Sequence, residues 1–444
     1  MRKSLPSLAV LVALCSAPAL AAPQTHAPQQ TEAQRIAALE SRIQALEAQL
    51  QQVLAAQAGT PAPAPAPAAP VDEFEALAAA PDTSAAEGAA IAPQAAQPGS
   101  SVSGGGNAFN PAISIILNGS ASHHSLDSDA KGFSLGESEV SFAANIDDKF
   151  YGQLTLAMES EDGEDHLGVE EAYVDTTALS GGLAVRAGRF FSNIGYLNSH
   201  HAHTDSFFDR PLAYQAFLGG QYGDDGVQVR WVAPTSTYLE FGGEVFRGQS
   251  YPGGGAQDGG LGTRTLFAHT GGSVGNENEW LAGVSMLKTK TAGGEDGFNG
   301  DATVYVADGT WKWAPHGNFK DGGVTVRGEY LVDDRDGMYV DPGDASIVMP
   351  WVGKRRGAYL ETVYRLNRTW DVGYRYDRLW ADNEGPFASA FDPDRHSAEI
   401  TWRNSEFSLV RLQVSRERPD AGDADNAITL QYQTSLGAHG AHKF

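Results

Sequence analysis

Cysteine is almost absent from this chain. The single one, Cys15, sits inside an N-terminal stretch built like an export signal. Arg2 and Lys3 give a positive start, Leu5 to Leu14 is an apolar run too short to cross a bilayer, and Ala19-Leu20-Ala21 is a small-x-small cleavage pattern. Leu14 is too bulky for Cys15 to be a lipid-attachment site. Removal of residues 1–21 as a signal leaves no thiol, which excludes disulfides and thiolate chemistry from the mature chain. Long apolar runs are missing too. No stretch reaches the 18 or so continuous apolar residues of a membrane-spanning helix. Positive charge is scarce: 31 Lys and Arg face 55 Asp and Glu, a formal net charge of −24. That balance argues against a nucleic-acid partner, which calls for a basic face. No spacing of Ser, His and Asp singles out a hydrolytic set, so no enzyme is expected, and nothing in the sequence calls for a cofactor.

Three regions differ in character. In residues 31–57 the apolar positions Ile36, Leu39, Ile43, Leu46, Leu50 and Val53 are spaced three and four apart. This is the a/d seam of a short coiled coil. With Ile36 at a, Arg35 and Arg42 fall at g, and Glu40 and Glu47 at e, which suits parallel pairing. Ile at a with Leu at d leans to dimers, but Leu50 at a blurs that rule. A lone helix of this length is marginal in water, so a homo-oligomer is expected. Residues 58–107 form a linker: "TPAPAPAPAAP" is stiff and extended, "GSSVSGGG" flexible.

From residue 108 onward the period changes to two. In "TWDVGYRYDRLW", Trp370, Val372, Tyr374, Tyr376 and Trp380 share one face, and Asp371, Arg375 and Asp377 the other. Val227, Val229 and Trp231 alternate with Gln228 and Arg230, and Leu239, Phe241 and Val245 with Glu240 and Glu244. Sixteen such segments are expected: 112–121, 133–146, 150–160, 167–178, 182–191, 224–233, 237–247, 262–273, 279–289, 299–313, 321–332, 354–366, 369–380, 394–403, 406–417 and 425–435. A soluble barrel this wide could not fill its interior. Inverted, the pattern is coherent: apolar side chains meet lipid and charged ones a water-filled lumen. Closure leaves no strand edge unpaired in the bilayer. The fold class is therefore all-β, a 16-stranded antiparallel transmembrane barrel preceded by a short α-helical coiled coil and a Pro/Ala-rich linker.

The connections alternate in length. Short ones include 147–149, 180–182, 234–236, 367–368 and 404–405; long ones include 122–132, 192–223, 248–261, 333–353 and 381–393. In outer-membrane barrels short turns face the periplasm and long loops the exterior. An even strand number puts both termini, and so the coiled coil, in the periplasm of a Gram-negative cell. Outer-membrane lipid and lipopolysaccharide are the expected surroundings. Phe444 is an aromatic C-terminus in phase with Ile428, Leu430 and Tyr432, as is common in barrels of this membrane.

The most specific stretch is "RAGRFFSNIGYLNSHHAHTDSFFDRPL". It resembles a segment of the phosphate-selective porin O/P family, with Gly188, Phe190, Gly195, Phe208, Arg210, Pro211 and Leu212 at matching places and Asp209 where the family has Glu. The resemblance covers the signal, the coiled coil and the barrel. It implies a trimeric, sixteen-stranded pore for passive diffusion of small hydrophilic solutes or ions. It departs in the lumen. The inward face is expected to carry Arg186, Arg230, Arg327, Arg365, Arg375 and Arg403, but also Glu139, Glu159, Glu171, Asp175, Glu240, Glu244, Glu329, Glu361 and Glu399. Asp371 and Asp377 add to that acidic set. A mixed field on an acidic chain points to weak cation preference, not phosphate selection.

The stretch also holds His200, His201 and His203. The loop after the fifth strand of sixteen-stranded porins commonly folds inward, so the resemblance makes His200, His201, His203, Asp205, Asp209 and Arg210 candidates for a pore constriction. Imidazoles there would make it pH-sensitive. A metal reading stays open. His200 and His203 suit one helical face, Asp205 could add an oxygen, and His439 with His442 forms a second pair. His123 and His124 are expected in the first outer loop. An alternative function is a receptor or channel linked to zinc uptake, of the TonB-dependent type. Residues 22–107 show no plug-like pattern, and such receptors have about twenty-two strands. Finally, "DDRDGMYVDPGD" is rich in oxygen donors but lacks the order of a calcium loop, and is expected to be a solvated outer loop.

Overall fold

The computed structural model describes residues 111–126, 132–161, 164–254, 260–291, 296–382 and 391–437. The expected signal, coiled coil and linker, the pair His439 and His442, and Phe444 lie outside the described residues.

Sixteen strands close into one antiparallel barrel. They are β1 (Ala112–His124), β2 in two segments (Gly132–Leu135 and Ser138–Asn145), β3 (Phe150–Glu161), β4 (Glu164–Thr176), β5 (Leu183–Phe191), β6 (Gly223–Val232), β7 (Tyr238–Phe246) and β8 (Thr263–Val274). The second half comprises β9 (Asn278–Thr291), β10 (Phe298–Trp313), β11 (Gly323–Val340), β12 (Val348–Arg365), β13 (Trp370–Asp382), β14 (Asp394–Ser405), β15 (Ser408–Arg418) and β16 (Asp425–Gly437). Each strand pairs with its neighbour in sequence, and β1 pairs with β16, from Ser114 opposite Gly437 to His124 opposite Ala427. Among the described residues no ladder edge is left open, as the bilayer requires. Sixteen strands also differ from the roughly twenty-two of an energised receptor, so the wall does not support that reading.

The two faces sort by polarity. Val229, Leu266, Val284, Leu360, Tyr374, Leu430 and Tyr432 point outward and are exposed, whereas Gln228, Glu240, Thr265, Glu361, Arg375 and Gln431 point inward and are buried. A large exposed apolar surface is a liability in water and a necessity in lipid. Phe150, Trp311, Tyr364 and Trp402 stand on the outer face close to the short turns. Trp370 and Trp402 are 6.4 Å apart between ring centres. Tryptophan and tyrosine favour that depth because an apolar body and a polar tip suit the interface.

Short connections such as 146–149, 275–277, 366–369 and 406–407 gather at one end, and the longest, 192–222, opens from the other. Two expectations change. Residues 333–353 are not a long loop: β11 and β12 continue through them, and only 341–347 connects. Asp333 is in strand, paired with Arg335 and Arg355, while Asp341 caps a tight turn by accepting the Gly343 and Asp344 amides. These strands of 18 residues exceed the roughly 9–11 that span a bilayer. Along the extension Asp334 is half-buried and Asp336 exposed on the outer side, while Asp333 and Arg335 are buried on the inner one beside the cluster of Phe298, Tyr339 and Trp351, so the apolar-out alternation disappears while the ladder continues. His123 and His124 end β1 instead of lying in a loop, and His124 Nδ1 stands 2.7 Å from Asp425. Gly271-Gly272-Ser273-Val274-Gly275 has the Gly-x-Ser-x-Gly spacing of serine hydrolases. It runs from β8 straight into the hairpin with β9, without the following helix such a nucleophile needs.

Candidate functional site: a loop folded into the lumen

The connection 192–222 turns back into the barrel. Two glycines make the fold possible. Gly188 in β5 has φ +131°, and a Cβ there would lie 2.1 Å from the Ala172 carbonyl oxygen. Gly195 has φ +62°, and a Cβ would lie 2.3 Å from Glu329 Oε2 and 2.7 Å from the Tyr214 hydroxyl. Only glycine fits both conformation and space at these sites. Pro211 then opens a short helix, α1 (Leu212–Leu218), which Gly219 ends in the left-handed region. Leu212, Ala213, Tyr214, Phe217 and Leu218 are buried. With Ile194, Leu197 and Tyr222, the last four of these pack on inward-facing Phe190, Phe246, Leu287, Val306, Leu331 and Tyr359. The loop thus has an apolar core inside a polar barrel.

Polar anchors complete the seat. The Glu329 carboxylate accepts the amides of Tyr196 (3.1 Å) and Leu197 (3.0 Å) and the hydroxyls of Tyr214 (2.8 Å) and Tyr359 (2.7 Å). Glu244 accepts the Asn193 amide (2.9 Å) and the Ser192 hydroxyl. Ser285 takes the Gly195 amide and Asp377 the Leu212 amide. A buried backbone amide without a partner is costly, so each inward acid places one stretch of loop.

Across the barrel, β13–β15 hold the middle of the loop. Asp209 lies between Arg375 (3.1 Å) and Arg395 (2.7 Å), and Gln413 donates to it (2.7 Å). Burial raises the Asp209 pKa, but the two guanidinium groups and the Gln413 amide outweigh it and hold the carboxyl down at about 2. Arg375 also bridges Asp377, and Arg411 donates to the Asp205 carbonyl. Arg210 pairs with Asp205 (2.7 Å) and donates to the carbonyls of Leu197 and His200, tying the two limbs of the loop together.

The histidines separate. His200 stacks on Tyr196 at 4.4 Å, and its Nδ1 is 2.7 Å from the Tyr196 carbonyl. His201 and His203 reach the wall at β2 and β4. His203 Nδ1 is 2.6 Å from Glu139, and His201 Nε2 is 3.0 Å from Glu171. His201 Nδ1 stands 3.1 Å from Glu139 and 3.3 Å from Glu170. Burial pulls the His201 pKa down, but the three glutamates more than offset it and raise it well above the usual imidazole value. The expected pairing of His200 with His203 is not formed. Two single 3-10 turns, Leu197–Ser199 and Ala202–Thr204, replace one helix, and His201 takes the place of His200. Asp205 faces Arg210, away from that pair.

Of the residues expected on the inward face, the Glu159 side chain lies outside the described residues. Glu139, Glu240, Glu244, Arg327, Glu329, Asp371, Arg375 and Asp377 are buried and Arg230 half-buried. Their work differs from the expectation. Glu139, Glu244, Glu329, Arg375 and Asp377 grip the loop, as does Arg327, which pairs with Glu361 and lies 4.2 Å over the Tyr196 ring; Asp371 pairs with Arg365 and Arg403, and Glu240 accepts the Tyr238 hydroxyl. Arg230 lies about 4 Å from both Asp175 and Glu240. Sequence reasoning missed Glu137, Glu170, Arg395, Arg411, Gln413, Tyr214 and Tyr359. Arg411 and Gln413 alternate with the apolar residues of β15 and were there to be found. Glu170 was hidden, because strict alternation from Glu171 puts it on the lipid side.

A closed sixteen-stranded barrel with its longest connection folded inside is the architecture of outer-membrane porins. The structure resembles OmpF of Salmonella typhi in complex with daunomycin, with a TM-score of 0.52 and 13% identity over 74% of this chain and 99% of that one. It also resembles the anion-selective porin of Comamonas acidovorans (TM-score 0.50, 11% identity, 74% and 99% covered) and in-vitro folded OmpT of Vibrio cholerae (TM-score 0.50, 11% identity, 74% and 98% covered). No family model matches the sequence. The chain belongs to the same family as an uncharacterised protein of Aquifex aeolicus (strain VF5), with 30% identity over 362 residues, 75% of this chain and 74% of that one.

Proposed function

We propose that this protein is an outer-membrane porin through which small hydrophilic solutes and ions diffuse passively past the inward loop. The observation that carries the reading is the seating of 192–222 inside a barrel whose outer face is apolar and whose inner face is charged. His200, His201, His203, Asp205, Asp209 and Arg210 form the constriction in this reading, and Arg230, Glu240 and Arg327 line the path beside it. Lumen charge is mixed and mostly paired, and the chain is acidic, which supports a narrow pore with weak cation preference. The phosphate-selective O/P resemblance is kept for the architecture and not for the selectivity. A homo-oligomer, a trimer by that resemblance, would be assembled through the barrel and the segment 31–57, with that segment in the periplasm and the long loops against lipopolysaccharide.

The test is conductance of the purified protein in a planar bilayer under a salt gradient. Stepwise currents with a cation-leaning reversal potential are expected. An anion-leaning potential with phosphate would restore the selectivity of the O/P family. Absence of any current would end the porin reading.

A further inference from the structure

The acidic side of the lumen contains two departures from regular sheet, and both aim at the same point. Between β3 and β4 the register slips: Thr155 pairs with Glu171, but Leu156 pairs with Val169. Glu170 is the extra residue of a β-bulge. A bulge re-aims a side chain that alternation would send to the other face. Here it brings Glu170 into the lumen beside Glu171, 3.3 Å from His201. Strand β2 is interrupted at Gly136 and Glu137, and its register with β1 shifts by one residue across the gap, from Gly119 opposite Leu135 to Ile116 opposite Glu139. The loop supplies His201 and His203 to that point. Donor atoms of Glu139, His201 and His203 all lie within 4.8 Å of one another, as do those of Glu137, Glu139 and Glu170.

We propose that Glu139, His201 and His203, with Glu170 beside them, form a binding site for a divalent cation of the zinc class that pins the inward loop to the barrel wall. The donor set carries the choice of ion. Two imidazoles with carboxylates suit zinc, cobalt or nickel, whereas magnesium and calcium favour all-oxygen sets. Three protein ligands leave a position for Glu170 or a water. The carboxylates that favour a proton on His201 favour a cation in its place. The ligands come from β2 and from the loop, and Glu170 from β4, so the ion is a cross-link that holds the loop only in the folded barrel. The inference goes beyond the pore reading, since such a site binds metal whether or not the barrel conducts.

The full-length protein, folded in detergent and stripped with chelator, would be titrated with zinc and, for its visible absorption, with cobalt. One saturable metal per chain is expected, with a cobalt spectrum of mixed nitrogen and oxygen ligands. His201→Ala and Glu139→Gln are expected to weaken binding roughly tenfold or more, and His316→Ala, at an exposed turn, to leave it intact. Metal should also raise the unfolding temperature of the native protein and not of the two ligand variants. If His201→Ala does not fold, His203→Gln and Glu170→Gln take its place. Absence of saturable binding, or binding that survives loss of these ligands and disappears with His439 and His442, overturns the proposal. This readout is independent of conductance, so it fails or stands apart from the porin reading.

Discussion

The two sides of the lumen grip one loop in opposite ways. On β13–β15 the grip is balanced: Asp209 and Asp377 meet Arg375 and Arg395, and every bond is direct. On β2–β4 it is lopsided, with Glu137, Glu139, Glu170 and Glu171 gathered around His201 and His203. Buried charge is tolerated only where it is compensated. The basic side is compensated within the protein. The acidic side calls for protons or a metal ion, and its hold therefore depends on the solution. One side is a fixed hinge for the loop and the other a conditional clasp.

The largest effect should come from breaking the fixed side. Asp209→Ala leaves Arg375 and Arg395 buried beside a lost partner, and removing one member of a buried pair costs about 3 kcal/mol or more. Thermal unfolding of the purified barrel should show this loss, and single-channel currents should become larger and noisier. Gly195→Ala comes next. Its Cβ collides with the Glu329 carboxylate and its φ of +62° is strained for alanine. The expected cost is about 1–3 kcal/mol, with the loop loosened and protease cleavage within 192–222 faster than in the native protein. An unchanged cleavage rate would mean that the loop is not seated by this turn.

Acid should reproduce the first prediction more gently. The Asp209 carboxyl has a folded pKa of about 2 against an ordinary 3.8. A lowered folded pKa stabilises fully above the ordinary value and is lost as pH falls through the folded one. Loop seating should thus hold above about pH 4 and weaken by roughly 2 kcal/mol toward pH 2. Asp209→Asn should flatten that part of a pH titration of unfolding temperature. The smallest effect is expected from Tyr359→Phe, which removes one of the hydrogen bonds to Glu329 and leaves its two amide donors and Tyr214 in place. A loss of about 1 kcal/mol is the usual scale; a loss several times larger would show that the Glu329 network acts as one unit.

Much of the wall was legible because lipid imposes a strict period of two. Val227, Val229 and Trp231 had to face one way and Gln228 and Arg230 the other, and they do. Where that demand lapses, legibility lapses with it. The charged run from Asp333 to Asp336 reads as loop but is strand: Asp333 and Arg335 are buried and ion-paired on the inner face, and the outer positions Asp334 and Asp336 carry charge where the wall below carries apolar residues. The loop was legible in its length, its glycines and its polar content, but not in its partners. Arg395 and Gln413 are some two hundred residues from Asp209 in sequence, and nothing local announces that they meet.

A barrel of sixteen strands, the lipid face of most of them, and the connection long enough to enter the lumen could be read from the chain alone. Alternation, turn length and the ban on open edges in a bilayer are local rules, and one chain states them. Folding in three dimensions was needed to show that His201 and not His200 joins His203, that a bulge turns Glu170 inward, and that Glu244, Glu329 and Asp377 hold the loop instead of lining free water. Those outcomes depend on register and on contacts between residues far apart in the chain, and a single slipped residue reverses which face a side chain takes.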